Sequence, residues 1–327
     1  MKILPVFIPH LGCPADCIYC NQKSITKSQQ PVPSEIARMV ENFCRHNAGK
    51  EKEIAFFGGT FTNLSLLRQQ AFFDVLKPFL NNETSIRIST RPDSVSQDIL
   101  DLCRQNGVKT IELGVQSFVS EILKTAGRNY TGEVAVSACR LVRQNKFRLG
   151  IQLMPGLPGF SRQSMQKTIQ TTIRLKPDYV RIYPTIVLKG TILAEWYKMG
   201  NYTPLTLSEA IQAAKEMSAA FRSHGIKVIK IGLHSDIDPG QILAGPYHQS
   251  FGELVRAECY LEKLLAEFQR KTLCISPADV SLFKGFQGDM MNRLKSELKM
   301  PVIPVLIVEK LPKDKFLFTD ISPQDYW

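Results

Sequence analysis

The sequence predicts an α/β chain: a partial (β/α)6-type, TIM-like barrel followed by a small C-terminal α/β domain. Two observations carry this. Strand-length runs rich in β-branched and aromatic residues alternate with longer amphipathic stretches, the order of parallel strands joined by crossover helices. The unusual polar and Gly/Pro clusters also follow those runs, and in β/α barrels chemistry gathers on loops leaving the C-terminal strand ends.

Strands are expected at 3–9, 53–57, 85–90, 109–115, 147–153 and 179–183, with a seventh at 226–232. Helices are expected at 34–46, 66–80, 95–105, 132–144, 162–175 and 207–224, with capping or turn residues such as Pro33-Ser34 and Thr206-Leu207-Ser208 nearby. A cysteine-bearing loop follows the first strand and Gly58-Gly59-Thr60 the second. Ser89 to Asp93 end the third, Gly114-Val115-Gln116-Ser117 the fourth and Gln152 to Gly156 the fifth. Tyr183-Pro184-Thr185 closes the sixth and Gly232-Leu233-His234 the seventh. Loop punctuation explains the glycines and prolines, but not Arg91, Gln116 and His234 together.

With 327 residues the chain holds one large domain and a small one, read as 1–235 and 236–327. No run approaches the ~18 apolar residues that span a membrane, so no membrane partner is expected. Eight scattered cysteines do not resemble a disulfide framework, and free thiolates point to the cytoplasm. The net charge of +11 is uneven. Residues 1–235 carry 30 Lys and Arg against 17 Asp and Glu, an excess of 13; residues 236–327 carry 11 against 13, a deficit of 2. A basic large domain suits a polyanion such as RNA, although basicity also serves solubility.

The most informative run is Gly12-Cys13-Pro14-Ala15-Asp16-Cys17-Ile18-Tyr19-Cys20-Asn21. Its CxxxCxxC spacing lets three thiolates from one loop bind three corners of an iron–sulfur cube, leaving the fourth iron open for chemistry. A zinc site would draw on a second CxxC or a His pair, and none lies nearby. A redox CxxC within Cys17 to Cys20 would leave Cys13 superfluous. Incidental cysteines are the bland alternative. The other five, Cys44, Cys103, Cys139, Cys259 and Cys274, read as core residues.

The run Cys13 to Gln22 resembles the signature of the radical S-adenosylmethionine superfamily. The resemblance implies a 4Fe–4S cluster held by Cys13, Cys17 and Cys20, with S-adenosyl-L-methionine on the fourth iron. It also implies a one-electron reductant of flavodoxin or ferredoxin type. It carries to Tyr19, between the cysteines, and to Gly58 and Gly59, the family's glycine-rich turn toward the methionine amino group. Thr60 stands where many relatives have an acid. Arg128 matches the arginine that pairs with the methionine carboxylate, and Gln116 a position that hydrogen-bonds the ligand. Arg91 joins this cofactor set. Ser89 and Gln152 replace the Glu and Asp of some relatives; they keep hydrogen bonding but lose negative charge.

Further runs narrow the resemblance: Phe57 to Thr62, Thr90-Arg91-Pro92-Asp93, Leu113 to Ser117, Met154 to Gly159, Arg181 to Thr185 and Leu188 to Thr191. Together they look like the radical core of the Elongator catalytic subunit over roughly residues 3–235, which implies modification of a tRNA base and a tRNA partner. The first cysteine gap is shorter than that family's, and the chain reads as a stand-alone relative without the acetyltransferase domain. The alternative is a radical enzyme acting on a small metabolite, similar to oxygen-independent coproporphyrinogen oxidase; Gln22 stands where that family has a fourth cysteine. Catalytic residues are not assigned, and Tyr183, Lys189, His234 and His248 are the substrate-side candidates.

Beyond 236, Gly245-Pro246-Tyr247-His248 precedes an amphipathic helix with Phe251, Leu254, Val255, Leu261, Leu264 and Leu265. A strand at 271–276, helices at 277–284 and 289–299 around Gly285-Phe286-Gln287-Gly288, and strands near 302–308 and 315–320 follow. This is the element order of a KH module, whose GxxG loop clamps a nucleic-acid backbone. The acidic balance of the segment favours a lid that shields the radical from water.

Overall fold

The computed structural model describes residues 1–14, 17–21, 31–233, 237–284 and 289–321. The chain forms two compact units, Met1–Gln249 and Ser250–Trp327.

In the first unit seven parallel strands form one sheet in the order β1-β2-β3-β4-β5-β6-β8. They are β1 (Lys2–Phe7), β2 (Lys52–Phe57), β3 (Thr84–Thr90), β4 (Val108–Gln116), β5 (Arg148–Leu153), β6 (Tyr179–Ile182) and β8 (Lys227–Ile231). Spatial order follows chain order because helices return the chain between strands: α1 (Pro33–His46), α2 (Leu66–Leu76), α3 (Gln97–Gln105), α5 (Gly132–Gln144), α6 (Arg162–Leu175) and α8 (Leu207–Ser223). The alternation is that of a partial (β/α)6-type, TIM-like barrel extended by a seventh strand. β2 and β4 are buried along most of their length, with apolar Ile54 to Phe57 on β2 and charged Glu53 and Glu112 buried among them.

The helices begin where short polar side chains can cap them. Ser65, Ser96, Thr131, Ser161 and Thr206 each accept the backbone N–H three residues on, a contact worth about 1 kcal/mol apiece. The helix expected to reach residue 80 ends at Leu76, and a 3-10 turn over Lys77–Phe79 follows, because Pro78 has no N–H to continue the ladder. Three small features escaped the sequence patterns. These are α4 (Ser120–Thr125), α7 (Ile192–Lys198) and the antiparallel pair β7 (Val187–Leu188) with β9 (Ile242–Ala244). All are too short to show a period. The β7–β9 pairing also extends the first unit beyond residue 235.

Four strands bring a charged cluster together beneath the C-terminal strand ends. Arg87 on β3 contacts Glu53 on β2, and its other terminal nitrogen lies 3.7 Å from Glu112 on β4. Arg181 on β6 donates to Glu112 at 2.9 Å, Tyr179 to Glu112 at 3.0 Å and Thr110 to Glu53 at 2.5 Å. Two guanidiniums thus face two carboxylates, which makes the burial tolerable.

The second unit holds α9 (Phe251–Glu267), β10 (Thr272–Ile275), α10 (Val280–Lys284), α11 (Asp289–Leu298), β11 (Val305–Ile307) and β12 (Phe316–Thr319). β10 lies between a parallel β11 and an antiparallel β12. Tyr260, Leu261 and Leu264 of α9 pack into this unit's own core with Leu273, Phe283 and Leu294. Gly285 to Gly288 lie outside the described residues.

Candidate functional site

The cysteine loop is positioned by backbone contacts with the turn after β2. The Ile8 N–H donates to the Phe57 carbonyl at 2.8 Å, His10 to Gly58 at 2.9 Å and Thr60 to Leu11 at 2.8 Å. Such close approach leaves no room for side chains. A Cβ on Gly59 would come within 2.4 Å of the Leu11 oxygen, and one on Gly12 within 2.3 Å of the Thr60 oxygen. Gly58 has φ 86°, a left-handed conformation that glycine adopts without strain.

This loop and the C-terminal ends of β1 to β6 line a cavity of about 390 Å³, within the range of small-ligand sites. The expected cluster residues Cys13, Cys17 and Cys20 line it. So do all the expected cofactor residues: Tyr19, Gly58, Gly59, Thr60, Ser89, Arg91, Gln116, Arg128 and Gln152. Among the described residues no three His, Cys, Asp or Glu stand close enough to share a single metal ion.

Two guanidiniums face the Cys17 sulfur, Arg128 at 3.5 Å and Arg91 at 3.8 Å. Asp93 holds Arg91 with two hydrogen bonds, at 2.9 and 2.7 Å. Arg128 is buried and donates to Tyr130 Oη at 2.7 Å, Tyr19 Oη at 3.0 Å and the Gly114 carbonyl at 2.6 Å. With the Cys17 contact, four of its five N–H groups are engaged. Burial works against the Arg128 charge, but Tyr19, Tyr130 and Cys17 outweigh it and hold the guanidinium above its ordinary pKa. Burial pushes the Cys13 thiol up, against the lowering contact of the Thr60 hydroxyl at 3.5 Å.

Gln116 sits at a register shift in the β4–β5 ladder with φ 67°. A non-glycine residue in that region is held there by its surroundings. Its backbone carbonyl accepts from Met154 at 2.9 Å and its Oε1 accepts from Gln152 at 3.2 Å, so the two glutamines act as a pair. The Ser89 hydroxyl is buried and has no protein partner.

Of the substrate-side candidates, Tyr183 lines the cavity and accepts from Arg181 at 2.9 Å. Burial raises its phenol, with Arg181 opposing. Lys189 does not line the cavity: it occupies the exposed turn after β7. His248 is half-buried beyond β9 and also lies off the lining. His234 falls outside the described residues. The sequence reading missed Glu112 and Arg181, both on the lining. Strand alternation was the available signal, since Glu112 shares a face with Gly114 and Arg181 with Tyr183.

Comparison with known proteins places these features in a family. The model of the radical SAM superfamily matches residues 7–172, and that of the radical SAM C-terminal domain matches 177–263. The chain is 31% identical over 233 residues to a tRNA uridine(34) acetyltransferase of Methanocaldococcus infernus, covering 64% of this chain and 43% of that protein. The chain therefore spans less than half the length of this relative. Among solved structures, Elp3 of Methanocaldococcus infernus with an N-terminal deletion superposes with TM-score 0.62 at 23% identity, covering 80% of this chain and 63% of that one. Coproporphyrinogen III oxidase (HemN) of Escherichia coli gives TM-score 0.53 at 21% identity, covering 68% and 53%. The three-cysteine loop, the half-barrel beneath it and the matched models together establish that the chain belongs to the radical SAM superfamily, as an enzyme that uses a 4Fe–4S cluster and S-adenosylmethionine.

Proposed function

We infer that the chain modifies a base of RNA, with tRNA as the substrate. The observation that carries this reading is the 31% identity over 233 residues to a tRNA uridine(34) acetyltransferase. The excess of 13 positive charges in residues 1–235 supports it. Acetyl transfer is not inferred, because less than half of that relative is matched.

The residues present fit the cofactors. Three thiols open into one cavity, and their spacing suits a cluster in which each thiolate takes a different iron. The partnerless Ser89 hydroxyl, the Gln116–Gln152 pair and the one unengaged N–H of Arg128 offer polar contacts to S-adenosylmethionine. When bound, cluster and S-adenosylmethionine supply a 5′-deoxyadenosyl radical that abstracts hydrogen. The protein's own part is to hold, orient and exclude water. Arg91 and Arg128 place positive charge beside the Cys17 sulfur, and Arg128 ties that thiol to Tyr19 and to β4. Phe7, Phe57 and Leu188 wall the cavity with apolar surface that keeps water away. The electron comes from a flavodoxin- or ferredoxin-type donor. None of the eight cysteines is in a disulfide, which suits a reducing cytoplasm.

The test uses anaerobically reconstituted protein with reductant and S-adenosylmethionine, following 5′-deoxyadenosine with and without bulk tRNA. Stimulation by tRNA is expected. Equal release in both would keep the radical chemistry, remove the tRNA reading and favour a metabolite of coproporphyrinogen type.

A further inference from the structure

Two neighbouring grooves lie at the N-terminal ends of β4 and β5. Arg104, Lys109, Lys146 and Arg148 line one, Arg140, Arg143 and Arg174 the other, and Gln144 belongs to both. No acidic residue lines either groove. All seven cations are exposed. Arg104 pairs with Asp101 at 2.8 Å, and the Asp178 carboxylate accepts the Leu149 N–H beside Arg148. Lys109, Arg140, Arg143 and Lys146 have no acidic partner among the described residues. Seven cations less those two carboxylates leave five positive charges.

The competing explanation is the helix dipole. α3, α5 and α6 end here with Arg104, Arg143 and Arg174 in their last turns, where cations offset partial negative charge. Each helix end carries only about half a charge, so three offset about 1.5. Most of the excess is left over. Lys146, on the first groove, and Lys176, beside but not lining the second, follow the ends of α5 and α6 in the left-handed region at φ 61° and 47°, as Lys299 does after α11, a conformation that favours glycine at a helix C-terminus.

The grooves sit at the opposite strand ends from the cavity. β4 has 9 residues, which at about 3.3 Å per residue makes the separation roughly 30 Å. A ligand small enough for the cavity cannot touch both places; a polymer can. We propose that this surface grips the phosphate backbone of the RNA whose base enters the cavity, which rests on the reading of the substrate as tRNA.

The test compares wild type with K109Q/R140Q/R143Q/K146Q, and with the charge-conserving K109R/R140K/R143K/K146R as a folding control. Binding of bulk tRNA is titrated across salt concentrations. The slope of log K against log salt should fall by roughly 3 in the Gln variant, since each lost phosphate contact removes about 0.7–0.9. It should stay unchanged in the charge-conserving variant. Release of 5′-deoxyadenosine without RNA should equal wild type in both, because these residues are remote from the cavity. Coincident tRNA titrations for wild type and Gln variant would overturn this surface while leaving the tRNA reading intact. Absence of any tRNA binding by wild type would overturn both. Loss of affinity for a ferredoxin with tRNA binding unchanged would assign the surface to an acidic protein, against the proposal.

Discussion

Cys17 and Gly59 serve the same loop in different ways, and two substitutions separate them. Cys17→Ala removes a thiol that is only half-buried and meets the side chains of Arg91 and Arg128. It should abolish cleavage of S-adenosylmethionine while leaving the circular dichroism spectrum and melting temperature close to wild type. Retained cleavage would sink the assignment of the cluster ligands. Gly59→Ala keeps every cysteine but drives a Cβ into the Leu11 and Ile8 oxygens, at 2.4 and 2.7 Å. Backbone cannot yield as a flexible side chain can, so the expected cost is about 1–3 kcal/mol. Urea unfolding should show it, together with lower cluster content after reconstitution. The cysteines and glycines were legible because their chemistry and conformation are rare. Glu112 and Arg181 were not, because a charged residue within a strand gives no local sign of the partner it meets across the sheet. Lys189 and His248 were chosen for chemical type alone, and nothing in sequence spacing reports which way a loop turns.

At the scale of elements, the charged cluster under the cavity makes β2, β3, β4 and β6 interdependent. Glu53→Leu would leave Arg87, which is 1% exposed, without its closest carboxylate. Loss of one partner of a buried pair costs about 3–5 kcal/mol, and equilibrium urea unfolding should show a drop of that order. The double substitution Glu53→Leu with Arg87→Met should recover much of it, since an apolar replacement leaves no stranded charge. A double variant as unstable as the single would show that volume, not charge, sets the loss. The long elements were legible from periodicity and caps, to within a few residues at each end. The strands of two and three residues that form β7 and β9 were not, because their pairing is decided by contacts some 55 residues apart in sequence.

For the molecule as a whole, charge divides along the chain as clearly as the fold does. The basic excess lies in residues 1–235, while 236–327 are slightly acidic. Composition disclosed that imbalance, but only the folded first unit shows Arg104, Lys109, Arg140, Arg143 and Lys146 on one end of the strands. Residues that share a surface come here from α3, β4 and α5, separated in sequence by the elements between them. Binding of tRNA should therefore be strongly salt-dependent, whereas release of 5′-deoxyadenosine without RNA should respond little to salt.

The left-handed lysines at 146 and 176 set backbone stability against the positive charge on which the proposed RNA-gripping surface relies. Glycine at either place would relieve about 1–2 kcal/mol of backbone strain, less about 0.5–1 kcal/mol for the freedom it adds to the unfolded chain. A lineage or an engineering campaign rewarded only for heat resistance would drift toward glycine at both sites. It would arrive at a hardier protein with a less cationic end and, under the role proposed for that surface, weaker RNA capture, without altering one atom of the cavity.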